Sequence, residues 1–372
     1  MADQNKGMSD LWRRLRFVFM AIVVYRLGTH IPIPGIDPTR LAALFDQNQG
    51  TILEMFNLFS GGALERMSIF ALNVVPYISA AIIMQLFSNS IPYLQELKKD
   101  GQAGRNQITQ YTRYGTVVLA FVQASALAVT LGAGGLAYEP GTSFFISAVF
   151  SVVAGTIFLM WLGEQISERG IGNGISIIIA TSILTGIPGA IGQALEQSRQ
   201  GDLNILLLLG IGVIAMLVIA IVVFIERGQR RITVNYAQRQ QGRKLMQAQA
   251  SHLPFKVNMA GVIPAIFAST FLLFPASLST WFGQAESFGF LQTISLALNP
   301  GQPLYILTFS VLIISFCFIW LALTFDTKEV TDNLKKSGAF VPGIRPGEQT
   351  AAYVDSVLAR LTVFGSIYLT LI

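Results

Sequence analysis

Few side chains in this sequence could carry catalytic or metal chemistry. The 372 residues include one cysteine, Cys317, and two histidines, His30 and His252. A structural zinc site needs four Cys or His ligands, and a nucleophilic triad needs a histidine beside its nucleophile. Cys317 lies inside an apolar run, His30 at the end of another, and His252 in a polar loop. We interpret all three as structural, and we expect no metal site, no cofactor and no enzyme activity.

One glycine-rich motif is ERGIGNGISIII, in which Gly170, Gly172 and Gly174 have the spacing of a phosphate-binding loop. A dinucleotide-binding fingerprint needs a preceding strand, whereas long apolar segments lie on both sides of this motif. We predict instead that the glycines turn the chain and that Asn173 caps the next helix. The sequence contains no GxxxxGK[ST] motif, so any work that the protein supports must be powered by another molecule.

The composition indicates a polytopic, all-α membrane protein. Hydrophobic residues make up 52% of the chain and charged residues 12%, which is about half the charged share of a soluble domain. A helix needs about 20 mainly apolar residues to cross the hydrocarbon core. Spans are predicted near 15–34, 74–92, 114–133, 144–163, 175–194, 203–225, 257–280 and 303–325, with a ninth starting near 356. The chain is still apolar at Ile372, so we expect it to be truncated within that ninth span.

The distribution of Lys and Arg predicts the orientation in the membrane. Twenty of the 25 Lys and Arg residues fall in the N-terminal tail and in alternate loops, whereas the other loops contain only Arg40, Arg66 and Arg199. Loops rich in Lys and Arg stay in the cytoplasm. We therefore predict a cytoplasmic N-terminus, and two long basic cytoplasmic loops: the first basic loop, 226–256, and the second basic loop, 326–350.

The first basic loop contains a pattern that topology alone does not explain. Apolar or aromatic residues alternate with polar ones at Ile232, Val234 and Tyr236, which is typical of a strand. The need to fix the topology would account for the charge, but not for the length or the alternation. We therefore predict that this loop also docks an acidic or nucleic-acid partner.

One predicted external segment, 59–73, is unusually apolar. It contains the Gly61-Gly62 pair and leads into the second span at Pro76. An apolar stretch this short is typical of a re-entrant or interfacial helix, and irregular backbone at membrane depth must be surrounded by protein or by a water-filled cavity. Considered on these residues alone, a helix lying on the membrane surface is the stronger interpretation.

The second to eighth predicted spans contain no Asp, Glu, Lys or Arg. Because ion-coupled carriers usually place ionisable groups inside the membrane, this disfavours a proton-driven carrier, although sodium sites built from backbone carbonyls stay open. The spans do contain Gln85, Gln123 and Asn258. A hydrogen bond between membrane helices contributes only about 0.6 kcal/mol, which suits helices that must separate. Ordinary interhelical packing explains most such residues as well.

Long motifs in the sequence resemble those of the SecY family. In chain order they are IPIPGID (31–37), FNLFSGGALERMSIFALNVVPYISAAIIMQL (56–86), QYTRYGT (110–116), MWLGEQISERGIGNGISIII (160–179), ERGQRRITVNYAQRQQG (226–242), KVNMAGVIPAIFAS (256–269) and NLKKSGAFVPGIRPGEQTA (333–351). They cover nearly the whole chain. The departure from the family pattern is at the C-terminus, because members have ten spans and this chain stops within the ninth.

The resemblance implies a gated channel in the bacterial inner membrane that passes unfolded secretory polypeptides across and releases membrane segments sideways into lipid. Two inverted halves of five spans, 1–195 and 196–372, would form the channel, with the tenth span absent here. The segment of about 59–73 would be a plug helix that seals the external funnel. The plug residues named by the resemblance are Gly61, Gly62, Ala63, Leu64 and Phe70.

The resemblance also implies a pore ring and a lateral gate. Apolar side chains in the ring would exclude ions, because a narrow apolar constriction dewets. The ring positions are Val74, Ile78, Ile179 and Ile266. The gate would separate spans two and three from spans seven and eight, and its candidate polar contacts are Gln85, Gln123 and Asn258.

The partners implied by the resemblance are the SecE and SecG subunits, the SecA motor, the ribosome, signal sequences, translocating polypeptides and membrane lipids. The basic loops would dock the motor or the ribosome through Arg230, Arg231, Arg239, Arg243, Lys335, Lys336 and Arg345. Two alternatives stay open at this point. One is a secondary transporter with a substrate or ion site at the membrane midplane, and the other is a ribosome receptor without a conducting pore.

Overall fold

A computed structural model of the chain describes residues 2–47, 57, 60–139, 141–201, 204–236, 240–241, 244–245, 250–282, 297–298 and 301–372. Long helices dominate this part of the chain, which confirms the predicted all-α fold class. The chain forms two compact units, the first comprising Met1–Leu203 with Leu272–Tyr305 and the second comprising Asn204–Phe271 with Ile306–Ile372. The predicted division into halves at residue 195 lies close to the first of these boundaries and stays a prediction.

The helices are α1 (Ala2–Gly28), α2 (Pro38–Gln47), α3 (Val75–Ser90), α4 (Pro92–Lys99), α5 (Gly101–Ala133), α6 (Thr142–Arg169), α7 (Gly174–Gln200), α8 (Ile205–Arg227), α9 (Ile263–Phe282), α10 (Pro303–Thr324), α11 (Thr327–Lys336) and α12 (Glu348–Leu371). Among the described residues, six helices are long and apolar enough to cross a membrane, namely α5, α6, α7, α8, α10 and α12. The other three predicted spans correspond to α1, to α3, which is 16 residues long, and to α9.

Several helices extend beyond the predicted spans. The helix α5 begins at Gly101 rather than near 114, and α12 begins at Glu348 rather than near 356. A hydropathy pattern marks only the apolar part of a helix, whereas backbone hydrogen bonds continue into the polar turns at either end. For this reason α12 has 24 residues and meets the length needed to cross the hydrocarbon core.

Prolines end two helices earlier than predicted. The first span was predicted to reach residue 34, but α1 ends at Gly28 and an extended segment follows. Pro32 and Pro34 disfavour helical backbone in the residues that precede them. In the same way, Ile91 is extended before Pro92, which ends α3 and begins α4.

The seventh span also begins later than predicted, at Ile263 instead of 257. Lys256 is the last residue of a strand, and the amide of Val257 donates to the carbonyl of Gly228 at 3.0 Å. Gly261 then adopts a φ of +64°, which turns the chain into α9. The residues between the strand and α9 are therefore held by the sheet and by the turn at Gly261, and the helix begins only after them. Pro264 lies in the first turn of α9.

A small antiparallel sheet joins the two basic loops within the second unit. Its strands are β1 (Gln229–Tyr236), β4 (Ala250–Lys256) and β5 (Ala339–Phe340), in the order β4-β1-β5. The short strands β2 (Gln240–Gln241) and β3 (Lys244–Leu245) pair with each other at the end of the hairpin. The predicted strand pattern is confirmed, because β1 covers it and buries Ile232 and Val234. Ile232 belongs to a core that includes Phe255, Val341, Val354 and Leu358.

The segment 60–74, called the plug segment below, differs from the predicted helix. Phe59 lies outside the described residues, and from Gly61 to Val74 the backbone forms consecutive turns instead of a helix. Positive φ angles at Gly61, Gly62 and Met67 interrupt any regular repeat of hydrogen bonds. The segment is nevertheless buried inside the first unit, since Ala63, Met67, Phe70 and Ala71 belong to its core.

The turn between α6 and α7 contains the glycine motif ERGIGNG, and its glycines have structural roles. Gly172 has a φ of +72°, and the side chain of Asn173 accepts a hydrogen bond from the amide of Ser176 at 3.2 Å. This confirms the predicted cap. A Cβ on Gly174 would overlap the carbonyl oxygen of Gly163 in α6, so the two helices are in close contact here.

This close approach predicts an effect of adding one methyl group. Gly174→Ala should force α7 away from α6 and destabilise the folded protein by about 1–3 kcal/mol, the usual cost of overpacking. Thermal unfolding of the purified protein in detergent measures the change. Gly132→Ala in α5 is the matched control, because a Cβ at that position meets nothing within 4 Å. A midpoint equal to that of the control would contradict this account of the turn.

Candidate functional site

The plug segment is held in a backbone conformation that it would not adopt alone. Gly61 and Gly62 have φ angles of +66° and +78°, and the non-glycine residues Met67 and Asn73 have +42° and +49°. Glycine adopts such angles at little cost, but another residue in this conformation loses roughly 1–2 kcal/mol. The contacts around Met67 and Asn73 must therefore be strong enough to offset this loss.

The IPIPGID motif binds one side of the plug segment through its backbone. The amide of Ile33 donates to the carbonyl of Met67 at 2.8 Å, and the amide of Ile69 donates to the carbonyl of Ile31 at 3.0 Å. Pro32, between the two Ile residues, pairs with Ser68 in an isolated bridge. The extended backbone that the prolines impose is thus what supplies hydrogen-bond partners to irregular backbone inside the protein.

The same motif is anchored on its far side. The amide of Asp37 donates to the carbonyl of Leu136 at 2.9 Å, and the amide of Tyr138 donates to the carbonyl of Gly35 at 3.0 Å. Both partners lie in the loop between α5 and α6. The hydroxyl of Thr39 donates to the carboxylate of Asp37 and lowers its pKa below the ordinary value. The plug segment is therefore tied through this motif to the ends of two long helices.

Aromatic stacking fixes the middle of the plug segment. The ring of Phe70 lies between Tyr25 of α1 and Phe158 of α6, with centroid distances of 6.0 and 5.9 Å and interplanar angles of 7° and 4°. Aromatic pairs of this kind contribute about 0.5–1.5 kcal/mol beyond the area that they bury. Phe70 thus connects two helices that are distant in sequence.

Glycines in α1, in α6 and in the plug segment itself allow the segment and the surrounding helices to approach each other closely. A Cβ on Gly155 of α6 would overlap the carbonyl oxygen of Ile69, and a Cβ on Gly28 would overlap the ring of Phe70. At Gly61 a Cβ would lie 3.1 Å from the Cα of Ser182 in α7. Gly28 of α1 and Gly155 of α6 thus leave a groove for the segment, and Gly61 allows the segment itself to approach α7.

A buried polar network connects both ends of the plug segment to α7. The hydroxyl of Ser182 donates to the carbonyl of Ile178 at 2.9 Å. It lies 2.6 Å from the hydroxyl of Tyr25 and receives the side-chain amide of Asn73 at 3.1 Å. The Tyr25 hydroxyl also donates to the carbonyl of Ser60 at 3.2 Å. Ser182 is fully buried, so these bonds are sheltered from water.

Arg26, a charged residue within the first predicted span, also contacts the plug segment. Its guanidinium donates to the carbonyl of Gly61 at 3.1 Å. The carbonyl of Arg26 accepts a hydrogen bond from the hydroxyl of Thr29 at 2.7 Å and lies 2.8 Å from Nδ1 of His30. Arg26 therefore binds the plug segment at Gly61. The ring of His30 contacts the end of α1, as expected of a structural residue.

The structure brings three of the four predicted pore-ring residues together. Val74, Ile78 and Ile179 belong to one apolar cluster of the first unit, with Val74 buried and the other two half-buried. Ile266 lies in α9, within the second unit, and is half-buried. The ring as a set of four stays a prediction.

The predicted gate residues occupy different settings. Gln85 in α3 and Gln123 in α5 are half-buried. Asn258 precedes α9 instead of lying within it, and it is buried. Its side-chain amide donates to the carboxylate of Glu226 at the end of α8 at 2.8 Å, and its oxygen accepts from the amide of Gly261 at 3.1 Å. The gate role of these residues stays a prediction.

The predicted docking residues lie in or beside the sheet of the second unit. Arg230 and Arg231 are exposed on β1, Lys335 and Lys336 are exposed at the end of α11, and Arg345 is exposed before α12. Arg239 and Arg243 lie outside the described residues. Because β5 pairs with β1 through Asn235↔Phe340 and Tyr236↔Ala339, the two basic loops form one surface.

Sequence reasoning missed the seat of the plug segment. Tyr25, Ser182, Gly28 and Gly155 were not singled out, although each contacts the segment. Ser182 is 109 positions from Asn73, and no local pattern connects residues at that separation. A glycine in the middle of an apolar span such as Gly155 was the only available signal, since it marks a possible close approach of backbone.

The groove predicts that enlarging Gly155 will displace the plug segment. In a Cys317→Ala background, the completely buried Ala63 can be replaced by cysteine as a reporter. Gly155→Ala should increase the rate at which a membrane-impermeant maleimide labels this cysteine several-fold, because the added methyl group collides with backbone that has no rotamer to change. Gly132→Ala provides the control. Equal labelling in the two variants would contradict the close contact between α6 and the plug segment.

Comparison with known proteins places this architecture among protein translocase subunits. The model of the SecY family matches residues 68–372. The protein translocase subunit SecY of Pseudomonas aeruginosa is 63% identical over 369 residues, which cover 99% of this chain and 84% of that protein. The SecY subunit of Escherichia coli K12 is 59% identical over 370 residues, covering 98% and 84%.

Solved structures show the same fold at low sequence identity. One of them is a SecY structure whose plug domain stabilises the closed state of the translocation channel. Its TM-score is 0.64 and its identity 20%, and the match covers 97% of this chain and 84% of that one. The idle yeast Ssh1 complex bound to the yeast 80S ribosome has a TM-score of 0.68 and 16% identity, covering 96% and 83%. On the family match and the two close relatives, this chain belongs to the SecY family of protein translocase subunits.

Proposed function

We propose that this chain is the gated protein-conducting channel of a bacterial translocase and that the plug segment is its movable seal. The observation that carries the proposal is the seat of that segment. The segment has irregular backbone and mostly apolar side chains, and it lies among α1, α6 and α7. Its polar groups bond to the IPIPGID motif and to Ser182. Irregular backbone at membrane depth is tolerated only where protein or a water-filled cavity surrounds it, so a seal within a pore accounts for it.

The residues that follow the plug segment support a constriction at the same place. Val74, Ile78 and Ile179 form one apolar cluster, and Ile266 is the fourth member of the proposed ring. Branched apolar side chains around a narrow passage exclude ions, because such a passage dewets. The seal and the ring would then act in series, with the plug segment closing what the ring alone leaves permeable.

The seat is suited to reversible release because it consists of many weak contacts. The segment is held by single backbone hydrogen bonds, by stacking of Phe70, and by one charged donor, Arg26. Hydrogen bonds inside membrane proteins contribute about 0.6 kcal/mol each, and the two non-glycine residues with positive φ oppose the closed conformation. A polypeptide entering the pore can therefore displace the segment without unfolding the helices around it.

We further propose that spans two and three separate from spans seven and eight to form a lateral gate. Gln85 and Gln123 are half-buried amides in α3 and α5, and amides at a helix interface can exchange partners with an entering signal sequence. Asn258 is held by Glu226 and by the amide of Gly261. Its proposed contribution is to fix the start of α9, and thereby the position of the seventh span.

The surface formed by both basic loops is the proposed docking site for an energy source. Arg230, Arg231 and Arg345 are exposed on it, and exposed guanidinium groups suit the phosphates of ribosomal RNA or the carboxylates of a motor protein. The yeast Ssh1 complex, which has the same fold, is bound to a ribosome. We propose the SecA motor and the ribosome as partners here, and SecE and SecG as companion subunits.

The distribution of charge supports the proposed location. The protein is a multi-pass membrane protein, and both basic loops and the N-terminal tail are rich in Lys and Arg. Because such segments stay in the cytoplasm, we propose the bacterial inner membrane with the N-terminus inside. Signal sequences, translocating polypeptides and membrane lipids then reach the channel from the expected sides.

Deleting part of the plug segment tests the channel directly. Removal of 62–72 joins Gly61 to Asn73, and both residues contact Ser182, so the deletion can close without pulling on the helices. The assembled translocase carrying this deletion should show a higher resting ion conductance in planar bilayers than the wild type. It should still accumulate in the membrane at normal levels.

The same experiment separates the proposed channel from its alternatives. A ribosome receptor without a pore would remain non-conducting after the deletion, and a carrier would not gain an ohmic leak. An unchanged conductance in a normally assembled deletion variant would therefore overturn the proposal that this segment seals a pore.

The docking surface predicts a second, independent effect. Arg345→Glu should reduce motor-driven export by about tenfold at limiting motor concentration, because one cationic contact is replaced by a repulsive one. Insertion and resting conductance should not change. Export of a model secretory protein into inverted vesicles measures the effect. Arg199→Glu, an exposed charge reversal at the end of α7, is the control, and equal export by the two variants would remove the support for docking at Arg345.

A further inference from the structure

We propose that Tyr25, Ser182 and Asn73 form a latch that holds both ends of the plug segment against α7 and sets how readily the channel opens. The inference rests on the proposed sealing function of the segment. These three are positioning residues, because they hold the seal and are not themselves required to touch a translocating polypeptide.

The proton positions in the latch follow from what each group can donate. Ser182 has one hydroxyl proton, and the carbonyl of Ile178 lies 2.9 Å away as its acceptor. The side-chain amide of Asn73 donates to the Ser182 oxygen at 3.1 Å, and the Tyr25 hydroxyl shares its single proton between the Ser182 oxygen at 2.6 Å and the carbonyl of Ser60 at 3.2 Å. A hydroxyl group offers one donor and two acceptor sites. Ser182 therefore uses its full capacity in the closed conformation.

The latch acts on the two ends of the plug segment. Gly61 and Asn73, with φ angles of +66° and +49°, lie near the two ends of the plug segment, and Ser60 and Asn73 leave α7 when the segment moves. Gly61 packs against the backbone of Ser182, and the preceding residue, Ser60, accepts the Tyr25 hydroxyl at 3.2 Å. Asn73 is bonded to the Ser182 side chain itself. One residue of α7 thus contacts both ends of an otherwise irregular loop.

When the latch releases, the buried hydroxyl groups of the seat still have hydrogen-bond partners. If Asn73 and Ser60 move away with the plug segment, Ser182 keeps its bond to Ile178, and Tyr25 can keep its bond to Ser182. A buried polar group that loses its partner is costly, so a seat that stays satisfied can open and close repeatedly. The latch therefore raises the threshold for opening without trapping the open state.

The consequence is a control on which polypeptides open the channel. A hydrogen bond within a membrane protein is worth about a threefold change in an equilibrium constant. Loss of the bond from Asn73 to Ser182 and of the bond from Tyr25 to Ser60, which are made only in the closed conformation, should therefore favour the open state several-fold. A weak signal sequence, which provides little binding energy, would gain most from this shift.

Three variants of the assembled translocase test the latch: Ser182→Ala, Tyr25→Phe and the double variant. Each single change should raise the resting conductance about threefold and improve export of a precursor with a weakened signal sequence by a similar factor. The double variant should show the product of the two effects, about ninefold, because Ser182→Ala removes the bond to Asn73, Tyr25→Phe removes the bond to Ser60, and the bond between Tyr25 and Ser182 is kept in both conformations. Thr116→Val is the matched control, since this equally buried hydroxyl bonds only to the Thr112 carbonyl of its own helix.

Asn73→Gly separates the latch from backbone strain. Glycine adopts a φ of +49° without strain but has no side-chain donor, so relief of strain alone would stabilise the closed channel and lower the conductance. The latch predicts the opposite sign, a rise. A fall in conductance for Asn73→Gly, or wild-type conductance and signal selection in Ser182→Ala, would overturn the latch.

The deletion of 62–72 distinguishes failure of the latch from failure of the proposed function. A leaking deletion variant combined with tight latch variants would contradict only the latch. A deletion variant that does not leak would contradict the seal, and the latch with it. Unfolding midpoints of the variants near that of Thr116→Val would show that the conductance change comes from gating instead of general destabilisation.

Discussion

The fold depends on one constraint: backbone that leaves a helix among membrane-spanning helices must find its hydrogen-bond partners inside the protein. The plug segment meets this constraint through the IPIPGID motif, whose amide and carbonyl groups at Ile33 and Ile31 bond to Met67 and Ile69. Two prolines keep that motif extended. The close approach of backbone to backbone then requires glycine at Gly155. The motif, the prolines and the glycine thus serve a single requirement.

The same constraint explains why a seal can be both specific and weakly held. A regular helix would satisfy its own backbone and would bind its seat through side chains alone. The plug segment instead shares its backbone hydrogen bonds with its surroundings, so its conformation and its position are determined together. When it leaves, those bonds can be exchanged with water in an open pore. The cost of opening is then spread over many contacts of a few tenths of a kcal/mol to about 1 kcal/mol each.

The sequence predicted the features that local patterns determine. Apolar runs located the long helices, the alternation at Ile232 and Val234 indicated β1, and Asn173 indicated a cap. Helix ends were less well predicted, because hydropathy does not report where backbone hydrogen bonding stops. The seat of the plug segment was not predictable, since it depends on the contact between Asn73 and Ser182 across 109 positions. A positive φ at Asn73 also has no counterpart in hydropathy.

The two basic loops show how energy supply and gating can stay separate in one chain. Their exposed charges lie in or beside a sheet with its own apolar core around Val354 and Phe255, so the proposed partners would meet a surface that contacts within the chain already hold together. Asn258 lies where this sheet leads into α9, bonded to Glu226 at the end of α8. The chain continues from β4 through that turn into α9, so the sheet is directly connected to a helix of the proposed lateral gate. Under the proposed function, docking would act on the gate through this connection, whereas release of the plug segment would depend on the polypeptide that enters.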